Sequence, residues 1–219
     1  MLYKGSQKIR DTGSYGVYAG NRPIDRIYKG SEKVYQYHPY TPGQVLFFET
    51  GQAENTITLP FGVYNLAITG GGGNGAFTPA QGYPFSVSGG AGATWEGTFY
   101  VPNTATLVLY AGGAVEASYI NVNGVRFITA GNGGNGGYND GGAGGILTVA
   151  STSVLQNITP NEETTGNGPA GYGAPGATSS VSSKSSYGWG SSTGYNSGGV
   201  PAGHYQQGGF RLQFLRRDL

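Results

Sequence analysis

The sequence predicts an all-β protein: a small N-terminal β-hairpin repeat module followed by a glycine-rich β domain with polyglycine-II-like segments. Three observations lead there. Short apolar stretches run without a linker into rows of glycine, as in FGVYNLAITGGGGNG from Phe61 to Gly75 and FITAGNGGNGG from Phe127 to Gly137; QQGGFRLQF, Gln206 to Phe214, repeats the joint in reverse. The 43 glycines among 219 residues fall in clusters and not at every third position, which excludes collagen. The first 34 residues carry an internal repeat of hairpin character.

That repeat comes first in the chain. LYKGSQKI (Leu2 to Ile9), VYAGNRPI (Val17 to Ile24) and IYKGSEKV (Ile27 to Val34) share an aliphatic residue, Tyr, any residue, Gly, Ser or Asn, any residue, Lys or Pro, and an aliphatic residue. Each copy reads as two β-prone arms about a tight turn with positive φ. A lone hairpin is marginal in water, so the copies are expected to stack or to dock on a partner. Seven of the twelve basic residues precede Thr41, against the acids Asp11, Asp25 and Glu32. Solvated edges, where Lys deters edge-to-edge pairing, account for that excess, and a docking surface for an acidic partner also suits it. The expected docking residues are Tyr3, Tyr18, Tyr28, Lys4 and Lys29. YHPYTPG, Tyr37 to Gly43, breaks secondary structure and divides an anchor module, residues 1–40, from a glycine-rich β domain, residues 41–219.

In the second part, QVLFFET (Gln44 to Thr50) reads as a strand, and NTITLPFGVYNLAIT (Asn55 to Thr69) as two strand arms about a turn at TLPFG. In ATWEGTFYV, Ala93 to Val101, Trp95, Gly97 and Phe99 alternate with Thr94, Glu96 and Thr98, the mark of a half-buried strand. A turn at PNTA and an inner strand TLVLYAGGA follow. Asn123-Gly124 predicts a hairpin with arms Tyr119 to Val122 and Val125 to Ile128. ILTVASTSVLQNI reads as a strand pair, and GGFRLQFL as a closing strand with Phe210, Leu212 and Phe214 on one face. Residues 161–207 form a polar, low-complexity aromatic loop, and a loop of that length in one scaffold is functional or disordered.

Ordered glycine costs roughly 0.5–1 kcal/mol relative to Ala, so so many copies call for a structural use. Close packing of extended backbones without side chains is one, provided that the backbone groups bond one another across the bundle. Flexible linkers would suit Ser179 to Ser197 but not Gly70 to Gly145, where apolar strands are threaded between the glycine runs. Gly70, Gly72 and Gly75 match GxGxxG, but Pro79 and Pro84 and the lack of helical spacing leave no helix to receive a pyrophosphate, and no GK[ST] occurs.

Charged residues make up 11% and the net charge is +1, so neither nucleic-acid steering nor a field for acidic substrates is indicated. RGG clusters and an RNP-like strand are missing, which argues against an RNA partner. Without cysteine there is no disulfide or thiolate chemistry. No signal peptide and no apolar run of membrane-spanning length is read, so the chain is expected to leave its cell by lysis or in a particle. The acids after Thr41 are scattered apart from Glu162-Glu163, which reads as a solvated turn, so no carboxylate pair for glycan hydrolysis is expected. His38 and His204 lack metal-ligand spacing and read as ordinary loop histidines. No cofactor and no metal is implied.

The order of strand, GGGG, ATWEGTFYV, TLVLYAGG, later GG clusters and the final GGFRLQF resembles the glycine-rich domain of bacteriophage tail-fibre and related virion proteins, over roughly Gln44 to Leu219. The YKGSxK pattern is similar to short hairpin modules of phage structural proteins, over Met1 to Tyr37. The resemblance implies a glycine-helix sandwich that presents distal loops to a bacterial surface receptor; the glycine runs here are shorter than in the best-known adhesins. The expected function is a non-enzymatic virion protein of tail-fibre or tail-tip type. Its receptor, a bacterial surface glycan or outer-membrane protein, would meet Tyr172, Tyr187, Trp189, Tyr195 and Tyr205, rings spaced by Gly and Ser as in paratopes. The alternative is a structural subunit, a head fibre or a capsid or tail decoration, whose loops contact other virion proteins. Either way residues 1–40 would dock on virion partners in a homo-oligomer, for which a trimer is one option although no heptad or other trimer signal is present, with no nucleic acid and no membrane insertion.

Overall fold

The computed structural model describes residues 38–73, 89–135, 145–164 and 207–217, together with short backbone strands between residues 3 and 36 and between 76 and 87. All of the regular structure among these residues is β, and every pairing is antiparallel. The strands run Tyr3–Lys4 (β1), Gln7–Lys8 (β2), Arg10–Asp11 (β3), Val17–Ala19 (β4), Arg22–Pro23 (β5), Arg26–Lys29 (β6) and Glu32–Gln36 (β7), then Val45–Thr50 (β8), Ala53–Thr69 (β9), Ala76–Ala80 (β10) and Tyr83–Val87 (β11). Thr94–Ala111 (β12), Ser118–Val122 (β13), Val125–Ala130 (β14), Leu147–Val149 (β15), Gln156–Thr164 (β16) and Gly209–Arg216 (β17) complete the order. In the N-terminal strands β1 pairs β2, β4 joins β3 and β5, and β6 pairs β7.

One large sheet carries the rest, in the order β15-β14-β13-β12-β9-β17-β8, with β16 on the free flank of β12. β9 and β12 are its spine and pair along their whole length. A straight strand as long as β12 would span about 55 Å at roughly 3.3 Å per residue. Its two ends nevertheless meet. Thr94 at its start lies opposite Thr69, with their hydroxyls 3.2 Å apart. The Gly112 amide, just past its end, donates to Ser118 Oγ at 2.9 Å, and that hydroxyl donates to the Thr69 carbonyl at 2.7 Å. The sheet is therefore folded back on itself, and the fold lies at the register shift between Val101 and Thr104, opposite Pro60 to Gly62.

Two layers result. One holds β15, β14, β13, the second half of β12 and the first half of β9; the other holds β16, the first half of β12, the second half of β9, β17 and β8. Alternation along the strands fills the space between them: Trp95, Phe99, Val101, Leu107 and Leu109 from β12 meet Leu66, Ile68, Leu212 and Phe214, and all belong to one buried cluster. Trp95 touches Phe127 of the other layer edge-on, with ring centroids 6.1 Å apart. Gly97 leaves room for the Trp95 ring, because a Cβ there would lie 2.7 Å from it.

Two turns expected from the sequence are absent. TLPFG and PNTA each interrupt nothing, because β9 and β12 run through them and only slip register; the bend takes place inside paired strands. Gly62 makes this possible, with φ of +145° and no side chain where Phe214 and His38 approach. The expected strand pair in ILTVASTSVLQNI is also corrected: β15 pairs β14 and β16 pairs β12, so the two strands lie in different layers. β16 runs to Thr164 and takes in the first residues of the stretch read as loop. The Asn123-Gly124 hairpin forms as expected, with φ of +47° and +81° at the two turn residues, and Phe210, Leu212 and Phe214 are buried on one face of β17.

Gly62→Ala should lower unfolding free energy by about 2 kcal/mol or more, since its Cβ would lie 2.8 Å from Phe214 Cε2 in backbone that L side chains rarely adopt. Gly124→Asn, with open space and a residue type tolerant of positive φ, should cost less than about 1 kcal/mol. Denaturant unfolding of the two variants checks the contrast.

Candidate binding end

The strands of the two layers end against a block built of glycine backbone. Residues 70–73 follow β9, 89–93 precede β12, 112–113 follow it, 131–135 follow β14, and Gly145 and Gly208 precede β15 and β17. Amides and carbonyls of these runs bond one another. Gly70 N–H donates to Ala93 O and Gly73 N–H to Gly90 O; Gly90 N–H donates to Gly134 O and Ala93 N–H to Gly131 O; Gly133 N–H closes the triangle on Gly71 O, all at 2.8–2.9 Å. Partners recur every third residue, 70 and 73 against 93 and 90, and 90 and 93 against 134 and 131. A β-ladder repeats every second residue, whereas three residues make one turn of an extended polyproline-II helix.

At several of the glycines the runs stand too close for a side chain. A Cβ on Gly73 or Gly133 would lie under 3.0 Å from a backbone oxygen of the neighbouring run, Gly134 O and Gly90 O respectively, and backbone cannot swing aside. Within the block Gly145 N–H also donates to Ala91 O and Gly208 N–H to Gly112 O, while Gly71 N–H to Glu116 O and Gly51 N–H to Gly208 O tie it to the chain before β13 and after β8.

The long insertions of the chain all depart from this end. Residues 74–88, with the paired strands β10 and β11, lie between Gly73 and Gly89; residues 136–144 lie between Asn135 and Gly145; residues 165–206 lie between Thr164, opposite Thr94, and Gln207. The N-terminal strands join at the other end, where His38 and Tyr40 pack at the bend against Phe61 and Phe214.

The rings expected to meet a receptor, Tyr172, Tyr187, Trp189, Tyr195 and Tyr205, lie outside the described residues, as does His204; the excursion that carries them starts and finishes on the glycine block. Of the expected docking residues, Tyr3 stands opposite Lys8, Tyr18 opposite Pro23 and Tyr28 opposite Lys33, with Lys4 and Lys29 next in line opposite Gln7 and Glu32.

A polar aromatic cluster on the outer face of the first layer was not foreseen. Tyr110 and Tyr119 stack with centroids 4.8 Å apart, and the Arg126 guanidinium lies 3.5 Å from the Tyr119 ring centre. The Tyr110 hydroxyl donates to Glu116 and the Tyr119 hydroxyl to Glu54. Glu116 also accepts from Gly113 N–H at 2.9 Å and from Gln52, and these donors, the backbone amide first, hold its carboxyl below the usual glutamate range. Burial, then the Glu116 carboxylate, push the Tyr110 hydroxyl up. Acids that look scattered in sequence thus meet through strand pairing: Glu54 is opposite Tyr110, which is opposite Tyr119. Tyrosine at outward-facing positions of adjacent predicted strands was the available signal. Glu163, expected on a solvated turn, lies on β16 and accepts from Trp95 Nε1 at 3.0 Å. Among the described residues no cluster of three His, Asp or Glu side chains could hold a metal ion.

The sequence matches no protein-family model and no curated protein.

Gly73→Ala and Gly133→Ala should each cost about 1–3 kcal/mol or more, as overpacking against backbone does. Thermal unfolding checks the size, and faster amide exchange at Gly90 and Ala93 would place the damage in the block.

Proposed function

We propose that this chain is a non-enzymatic virion protein of tail-fibre or tail-tip type, which docks on other virion proteins through residues 1–40 and offers loops to a bacterial surface receptor. The observation that carries the proposal is the division of the molecule into two ends. Chain from the N-terminal strands arrives at the bend, while the insertions 74–88, 136–144 and 165–206 leave from the glycine block at the opposite end. An adhesin needs that polarity, with an attachment end and a presenting end held apart by a rigid body.

Within this proposal the glycine runs are polyglycine-II-like segments, supported by their three-residue bonding step, and the N-terminal strands are hairpin repeats that form the anchor. Tyr172, Tyr187, Trp189, Tyr195 and Tyr205 supply the receptor contacts: rigid rings between small residues gain contact area at low entropic cost. The receptor is a surface glycan or an outer-membrane protein.

A second proposal is a structural subunit, a head fibre or decoration, whose loops meet other virion proteins.

Combined replacement of Trp189 and Tyr195 by Ala in the full chain should abolish binding to susceptible cells while leaving the unfolding midpoint unchanged. Cell binding of purified protein by flow cytometry, beside thermal unfolding, is the test. Undiminished binding removes the loop from the receptor site, and no cell binding by the unaltered protein, together with its retention in purified particles, favours the structural subunit.

A further inference from the structure

At the bend, opposite the glycine block, sits a titratable group that the proposed function does not use. His38 is fully buried although it lies in a loop. Its ring stacks on Phe214 with centroids 4.0 Å apart and planes 15° apart, and meets Phe61 and Tyr40 edge-on at 5.3 and 5.5 Å. Nε2 lies 2.8 Å from the Phe61 carbonyl oxygen, which can only accept, so Nε2 carries the hydrogen. The Tyr40 backbone N–H points at Nδ1 from 3.2 Å, so Nδ1 carries the lone pair. Both nitrogens are satisfied by one neutral tautomer.

The same contacts seat the connecting chain. Gly43 N–H donates to Phe214 O and Phe214 N–H to Gln44 O, both at 2.9 Å, and the Gln213 amide donates to Gly43 O at 2.7 Å. Phe214 is thus the ring under His38 and also the backbone partner of residues 43 and 44.

We propose that His38 is an acid-released latch that fastens the connection from the N-terminal strands to the β-sandwich. A second proton, on Nδ1, makes a donor of the acceptor that the Tyr40 amide needs; the Tyr40 carbonyl, 3.4 Å from Nδ1, is a poor substitute. The new charge would sit in a wall of Phe61, Phe214 and Tyr40, unhydrated.

The titratable and charged groups around the ring are few. Tyr40 belongs to its own segment; β9 contributes Tyr64, whose hydroxyl lies 3.4 Å from Nε2 and donates to Pro60 O; Arg217 at the end of β17 adds like charge. Among the described residues no carboxylate acts on the ring to stabilise an imidazolium. Burial, first, and Arg217 therefore hold the docked imidazole below its ordinary value of 6.5, against the raising effect of the Phe61 and Tyr40 backbone. The undocked histidine takes its proton near 6.5 and the docked one only at lower pH. Docking is thus complete above 6.5 and weakens as pH falls below it, about tenfold per unit until the docked ring itself titrates. The described glycine runs, residues 70–73, 89–93 and 131–135, hold no titratable side chain.

Amide hydrogen exchange of the full chain at pH 7.5 and 5.5, with rates corrected for their intrinsic pH dependence, tests the latch. Protection at Gly43 and Phe214 should fall at the lower pH, by up to about tenfold, while Leu107 and Leu109 in the core keep theirs. In His38→Phe, which keeps a ring on Phe214 but cannot titrate, protection at Gly43 and Phe214 should be equal at the two pH values. Unchanged protection in the natural protein, loss in step with Leu107 and Leu109, or the same pH dependence in His38→Phe overturns the proposal. Should the variant fail to fold, an NMR titration of His38 in the natural protein decides: a midpoint below 6.5 supports the latch, and one at or above 6.5 overturns it.

Discussion

The structure depends on backbone meeting backbone at distances that no side chain survives. Runs 70–73, 89–93 and 131–135 satisfy one another's amides and carbonyls at a three-residue step, and at Gly70, Gly73, Gly92 and Gly133 a Cβ would lie under 3.0 Å from backbone of a neighbouring run. From this follows the bend in the spine. The block draws on the ends of β9, β12 and β14 and on the starts of β12, β15 and β17, so both ends of β12 have to arrive in one place. A strand of that length satisfies the demand only by folding back, and Gly62 with the register slip at Val101 to Thr104 is where it does so.

The block also explains why the chain can be interrupted there. Its cohesion comes from main-chain groups, so the residues leaving a run owe nothing to the residues of the next insertion. Closing a longer loop between fixed ends costs only about 0.6 kcal/mol for each doubling of its length. Loops of very different size can therefore depart from one platform at similar cost, and their sequences are free to follow whatever they contact. At the bend the logic is reversed: His38, Tyr40, Phe61, Tyr64 and Phe214 pack ring on ring, and each is held by its neighbours.

Much of the fold was legible because period and turn chemistry are local. Alternation about Trp95 and Phe99, the Asn123-Gly124 turn and the one-sided face of β17 could all be read from a few consecutive residues. The missed features are long-range. TLPFG and PNTA carry ordinary turn signals, and only their pairing with each other keeps both extended. β15 and β16 look like partners because they are adjacent in sequence, while their true partners, β14 and β12, are chosen by the two-layer arrangement. The cluster of Tyr110, Tyr119, Arg126, Glu54 and Glu116 is assembled from four segments whose register no local signal states. His38 has none of the spacing that marks a functional histidine, and its burial follows from the glycine at position 62, which opens the space that its ring and Phe214 fill.

The block does not stand by itself. Each intramolecular hydrogen bond contributes a net of about 0.5–1.5 kcal/mol, and each ordered glycine gives back roughly 0.5–1 kcal/mol relative to a residue with a side chain. Those terms nearly cancel, and the runs bury little apolar surface of their own. The favourable balance comes from the layers beneath, where Trp95, Phe99, Leu66, Leu107, Phe127 and Leu212 form one cluster. That cluster fixes where the strands end, and the strand ends hold the glycine runs in register. Glycine density alone therefore does not specify such a block: the same runs without alternating strands between them would have the composition of a linker.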